Sequence, residues 1–210
     1  NNTIIGDGAM SLGYGGRDVA IGKDALKNGV NLTPSISTDE ETGRVAIGSN
    51  AMSGSLQTGL GNIAIGSGAG KIVSTTAAGG AVYVGYGAGG NENDSYTGIN
   101  QIAIGKNAMQ KKAVDESIAI GVNALQDVVA GNIGGTGQIA IGKNAMSAAT
   151  VTGNTNIAIG NNANNTTAIV ADNISIGRNS TAKGTGSISI GEGADSGGAA
   201  SADYGIAIGA

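Results

Sequence analysis

The chain has 210 residues, a formal net charge of −4, and neither cysteine nor histidine. The acidic balance argues against a nucleic-acid partner, which asks for a basic face; the missing cysteine excludes disulfides and thiolate metal sites, and the missing histidine removes the commonest general base. Forty glycines, five Tyr and no Phe or Trp leave little of the bulky aromatic material that fills an ordinary globular core.

What the chain has instead is a repeat. A tetrad of the form Ile-Ala-Ile-Gly returns from Thr3-Ile4-Ile5-Gly6 to Ile206-Ala207-Ile208-Gly209. Its anchor glycines are Gly6, Gly22, Gly48, Gly66, Gly85, Gly105, Gly121, Gly142, Gly160, Gly177, Gly191 and Gly209. Self-similarity of this kind decides architecture before propensity does. Val or Ile stands one residue before every anchor and, save for Thr3, three before it, with a small residue, usually Ala, between them except at Ile4 and Tyr83. β-Branched residues at i and i+2 suit one face of a strand, so each tetrad predicts a short strand, one rung of a stack. Two residues past each of the first eleven anchors stands Gly, Asn or Asp. These types tolerate positive φ, and the position predicts a left-handed residue at a tight corner. Next comes Ala, or Ser180 in one copy, and in six copies a Met or Leu; a second short strand is predicted there before the chain returns.

In chain order, residues 1–22 hold the first coil, with Leu12-Gly13-Tyr14-Gly15 as its second strand. Lys23 to Arg44 is the longest excursion and carries the only proline, Pro34, and the acidic trio Asp39-Glu40-Glu41; an exposed loop is predicted. Rungs resume from Val45 to Gly85, with a Gly/Ala/Thr link at 74–80. A second polar loop spans 89–98 and includes Asn91-Glu92-Asn93-Asp94. The rungs at 102–160 are the most regular, each opened by a polar residue: Gln101, Ser117, Gln138 or Asn156. Stacked amides at that position predict hydrogen-bonded ladders between coils. The shortest spacing, 14 residues from Gly177 to Gly191, shows the bare coil. The chain reads as one domain, 1–210. Asn1 opens close to the first rung and Ala210 cuts one short, so it also reads as a segment of a longer protein whose export signal and anchor lie elsewhere.

Ile and Val give each strand one apolar face; the opposite face carries Ala or Ser. Small, apolar strands of this kind are expected where both faces are covered. A coil has one interior, so the second face needs another surface. Association of identical chains along the stack supplies it, since a ladder of equivalent patches pairs with itself. Twelve rungs at the parallel-sheet spacing would span about 58 Å, a rod rather than a pocketed globule.

Chemistry is harder to find. Asp39-Glu40-Glu41, Glu92 with Asp94, and Asp115-Glu116 are read as solvated loop acids rather than a two-carboxylate site. Neither EF-hand spacing nor a Gly-Gly-x-Gly-x-Asp nonapeptide is present, so no metal and no cofactor are expected. The Gly85–Gly90 string lacks the helix and the Gly-Lys-Ser/Thr ending of a phosphate cradle and is read as a corner. Lys23, Lys106, Lys143 and Arg178 share the position after the anchor with Asp7 and Glu192, a pattern read as solubility. Tyr14, Tyr83, Tyr86, Tyr96 and Tyr204 are candidate contact residues, Tyr83 and Tyr86 being read as packing within a rung. Asn31-Leu32-Thr33 and Asn165-Thr166-Thr167 fit a glycosylation sequon. Ice binding needs a regular Thr array, and Thr75, Thr76, Thr166 and Thr167 are sporadic. The expected class is non-enzymatic.

Repeats such as Asn156-Ile157-Ala158-Ile159-Gly160 and Ser187-Ile188-Ser189-Ile190-Gly191 resemble the head repeat of trimeric autotransporter adhesins, the YadA-like head, often written N-S-V-A-I-G-x-x-S. The resemblance runs from Thr3 to Gly209; the coils here are longer, and Ala often stands where the family has Ser. It implies an all-β, left-handed parallel β-roll (a β-solenoid) of about twelve coils with inserted loops, three identical chains lying side by side. It further implies exposure on the bacterial cell surface, outside the outer membrane and without direct membrane contact. The partners implied are host extracellular-matrix proteins, host cells or abiotic surfaces. Contact residues are expected in the two polar loops: Asp39, Glu40, Glu41 and Arg44 in one, Asn91, Glu92, Asp94 and Tyr96 in the other. The rival reading is a structural spacer or phage tail-fibre segment with no ligand of its own.

Overall fold

The computed structural model describes residues 2–11, 17–27, 43–54, 61–71, 79–90, 100–110, 115–126, 136–147, 150–151, 153–166, 168–197 and 203–209. They fall into two compact units, Asn1–Asn107 and Ala108–Ala210. Every tetrad forms a strand. The first unit holds β1 (Thr3–Ile5), β2 (Val19–Ile21), β3 (Val45–Ile47), β4 (Ile63–Ile65), β5 (Val82–Val84) and β6 (Ile102–Ile104). The second holds β7 (Ile118–Ile120), β8 (Ile139–Ile141), β9 (Thr150–Val151), β10 (Ile157–Ile159), β11 (Ala168–Ile169), β12 (Ile174–Ile176), β13 (Ile188–Ile190) and β14 (Ile206–Ile208). Within each unit, successive tetrad strands pair in parallel and in register: Val19 faces Val45, Val45 faces Ile63, and Ile118 faces Ile139. β9 and β11 pair in a small separate sheet. No helix occurs among the described residues, and each unit is a parallel β-solenoid.

The corner position two past the anchor is left-handed in all eleven copies, with φ between 54° (Asn162) and 66° (Gly8). Close approach of the next coil demands glycine at the anchors inside the stack: a Cβ on Gly22 (φ +126°) would lie 2.7 Å from the carbonyl of Gly48.

The predicted second strand after the corner is not there. Met10, Leu26, Met52, Met109, Leu125 and Met146 are themselves left-handed, with φ of 49° to 52°. Coil-to-coil hydrogen bonding explains this. The Asp24 N–H donates back to the Asp7 carbonyl at 2.9 Å, the Leu26 N–H donates forward to the Ala51 carbonyl at 2.9 Å, and the Ala25 N–H closes onto the Gly22 carbonyl. Two left-handed residues with one between them turn the chain while its amides stay paired, as buried amides must. The second strand expected at Leu12-Gly13-Tyr14-Gly15 lies outside the described residues.

A further left-handed position, not among those expected, is Gly, Asn or Asp in seven of its eleven copies. It falls two residues before each strand's first residue: Arg17, Gly43, Gly61, Gly80 and Asn100 in the first unit, and Glu116, Gly137, Thr155, Asp172, Gly186 and Tyr204 in the second. Thr155 is the least expected, because a β-branched residue rarely adopts positive φ; its hydroxyl is hydrogen-bonded to the Asp172 carboxylate.

The core is narrow. In the tetrad strands from β2 to β13 the central residue points inward: Ala20, Ala46, Ala64, Ala103, Ala119, Ala140 and Ala158, with Ser175 and Ser189 later, are fully buried. The Met and Leu side chains of the corners fill the remaining space. One rung differs, carrying Tyr83 where its neighbours carry Ala, and there the Met/Leu position is Gly70 or Gly89. A Cβ on Gly70 would come within 2.9 Å of the Tyr83 ring. The hydroxyl of Tyr83 donates to Gln101 Oε1 at 2.8 Å.

Candidate interaction surface

Because the small central residue faces inward, the two β-branched residues flanking it face outward. Every described strand from β2 to β13 with a tetrad sequence has a buried centre between partly exposed flanks. Ile65 and Ile104 in the first unit and Ile120, Ile159 and Ile190 in the second remain 36 to 39% exposed. Stacked in register, these side chains make a two-column Ile/Val stripe along each unit. Contiguous exposed apolar surface of this kind marks an interaction site.

Among the described residues the outer corners are mostly polar, with Tyr86 and Val122 as exposed exceptions. At the corner of the second unit an amide ladder runs from Asn123 to Asn144, Asn162 and Asn179, each Nδ2 donating to the next Oδ1 at 3.1 to 3.2 Å. The amide ladder expected in front of the strands is of another kind. There the next coil's backbone N–H donates to the side-chain oxygen: Gln138 to Ser117 Oγ (2.9 Å), Asn156 to Gln138 Oε1 (3.3 Å), Asn173 to Asn156 Oδ1 (3.0 Å). Position relative to the corner decides which pattern forms, since only this column lies inside the coil and must satisfy buried amides.

Of the residues expected to contact a ligand, Asp39, Glu40, Glu41, Asn91, Glu92, Asp94 and Tyr96 lie outside the described residues. Arg44 is described, and it sits within the coil rather than on an exposed loop. Its guanidinium is 1% exposed, with Nη2 2.7 Å from Asp18 Oδ2. A long loop before it suggested exposure, but it occupies the inward column one residue ahead of β3, between Asp18 and Asn62 of the neighbouring coils. Lys23, Lys106, Lys143 and Arg178 lie at the outer corner, and Arg178 is ion-paired with Glu192 of the next coil. Lys183 donates to the carboxylate of Asp195 at 2.7 Å, and that hydrogen bond holds the carboxyl below its ordinary range.

Tyr83 packs inside the coil as expected, and burial pushes its hydroxyl well above the ordinary tyrosine value. Tyr86, also read as packing, is instead 61% exposed at the outer corner, and Tyr204 is exposed as well. Tyr14 lies outside the described residues. Asn165 accepts a hydrogen bond from the Ser147 hydroxyl at 3.3 Å. Among the described residues no three His, Cys, Asp or Glu side chains gather where a metal ion could be held.

The chain thus belongs, by its architecture, to the parallel β-solenoids, and its surface combines an apolar stripe with polar corners. Compared with protein-family models, with curated proteins and with solved structures, it has no match in any of the three.

Proposed function

We propose that the chain is a head segment of a bacterial trimeric autotransporter adhesin, a non-enzymatic platform that attaches to host matrix proteins, host cells or abiotic surfaces. In this reading about twelve coils wind as a left-handed roll, three chains lie side by side outside the outer membrane, and the inserted segments at 23–44 and 89–98 make the contacts. Two things support it: the tetrad repeat, which resembles the head repeat of that family, and the outward Ile/Val stripe. The stripe is the weightier of the two. Two columns of β-branched side chains repeated on every rung offer a sister chain the same surface it brings, and packing them together covers what the coil leaves half-exposed. Three copies of each weak contact would then act together, giving avidity without a single strong site.

The test has two parts. Light scattering of the 210-residue chain is expected to give the mass of a trimer, and a single-chain mass would end the proposal. Surface-plasmon measurements against immobilised matrix proteins are then expected to show binding that weakens when Asp39, Glu40 and Glu41 are replaced by Ser. A trimer that binds no matrix protein, cell or surface would instead be a spacer, as in a stalk or fibre.

A further inference from the structure

The inward column ahead of the strands is uncharged on every described rung but two. Asn2, Asn62, Ala81 and Gln101 occupy it in the first unit, and Ser117, Gln138, Asn156, Asn173, Ser187 and Gly205 in the second. Asp18 and Arg44 are the exceptions, and they stand on neighbouring rungs, each 1% exposed. One carboxylate takes three donors from Arg44: the backbone N–H at 2.8 Å and Nε at 3.3 Å on Oδ1, and Nη2 at 2.7 Å on Oδ2.

Where this pair sits matters more than its strength. The two rungs flank the widest spacing in the chain, from Gly22 to Gly48. The rungs competing to follow β2 are nearly identical: Val45-Ala46-Ile47-Gly48 and Ile63-Ala64-Ile65-Gly66. Either offers β2 the same alternation and the same anchor glycine, although the corner that follows is Asn50-Ala51-Met52 in one and Gly68-Ala69-Gly70 in the other. Lengthening a loop that is already long adds little entropy cost. A repeated pattern specifies register weakly. Asp18 breaks the degeneracy. Were β2 to pair with β4, Asp18 would face Asn62, and Arg44 would be expelled with the rest of the β3 rung. The buried carboxylate would then lose its guanidinium.

We infer that the Asp18–Arg44 pair is a register key, which makes β3 and not β4 the partner of β2 and so decides which stretch of chain is left out between those rungs. Setting register is the best-attested use of a buried ionic group, whose net contribution to stability is often small. The register key does not depend on the proposed adhesin function.

The full 210-residue chain provides the test. Asp18→Asn with Arg44→Asn copies the Asn156–Asn173 layer that the second unit already contains. Lys23, Ser49 and Ser67 occupy the same outer corner position on three successive coils, and the chain has no cysteine to interfere. Two reporters follow, Lys23→Cys with Ser49→Cys for the native register and Lys23→Cys with Ser67→Cys for the skipped rung. Neighbouring rungs, about 4.8 Å apart, are within disulfide reach, whereas rungs two apart are not. Each chain is unfolded, refolded at low concentration and oxidised, and intrachain bridges are counted by peptide mass. With the ion pair present, the 23–49 bridge is expected and the 23–67 bridge is not. In the Asn/Asn background the 23–67 bridge is expected to rise at least about five-fold, reflecting lost discrimination. An unchanged 23–67 yield overturns the inference. So does an Asn/Asn chain that cannot refold, because the pair would then hold the coil together rather than choose its partner.

Discussion

Tyr83 shows how tightly a single residue is matched to its neighbours. Its ring occupies space that Met or Leu fills in other coils, and the corner residues on either side, Gly70 and Gly89, are reduced to make room. Tyr83→Ala should cost about 3–5 kcal/mol through the cavity it leaves. Adding Gly89→Leu should recover much of that loss, because Gly89 (φ 57°) already has nearly the backbone conformation of Leu26 (φ 51°). Urea unfolding of both singles and the double gives the coupling energy; a Gly89→Leu change that is equally harmful with the tyrosine present and with it replaced by alanine would show the two positions to be independent. The same residue gives a pH signature. Burial raises the hydroxyl above its ordinary value of 10.0. Its contribution to stability is therefore complete below that pH and lost as pH rises through the raised value. Tyr83→Phe should flatten the fall in unfolding midpoint between about pH 10 and 11 relative to the parent chain. Identical slopes in the two proteins would exclude Tyr83 as the source.

At the scale of the coil, two kinds of glycine look alike in the sequence and differ in consequence. Gly22 faces the backbone of the next rung, and any Cβ there meets a carbonyl. Gly43 (φ 57°) has open space around it. Gly22→Ala should therefore destabilise by about 3 kcal/mol or more, combining φ strain with a clash that backbone must absorb. Gly43→Ala should cost only about 1–2 kcal/mol, the left-handed penalty alone. Denaturant midpoints compare the two, and equal losses would mean that the anchor column is not close-packed. The strands and first corner were legible beforehand, because glycine, Asn and Asp recur there at fixed distance from a β-branched pair. The corner ahead of each strand is marked by Gly, Asn or Asp in only seven of its eleven copies, and Arg17, Glu116, Thr155 and Tyr204 carry no local preference for positive φ. They are held there by the inter-coil hydrogen bonds of the rungs around them, such as Thr155 N–H to the Thr136 carbonyl at 2.9 Å.

Across both units, in the tetrad strands from β2 to β13, the unusual feature is that the Ile and Val flanks face out while the central residue, usually Ala or Ser, faces in. Ile65→Lys and Ile159→Lys place charge on the stripe of each unit without entering a coil interior, so circular dichroism should be unchanged while light scattering falls to the single-chain mass. If the assembly persists with both substitutions, the stripe is not its interface. Much of this protein was determined by sequence alone. A tetrad repeated with a glycine anchor can only stack as parallel rungs, because each strand is too short to be stable except beside its own copy. The tertiary structure decided which face of the strand became the interior. Hydrophobicity favours Ile, but the narrow interior is filled by Ala, Ser and the Met or Leu of the corner, and Ile and Val are left on the outer face. It also put Arg44 inside the coil with Asp18, a pairing across an excursion of more than twenty residues, which no local pattern encodes because the two residues meet only when neighbouring coils are laid one upon the other.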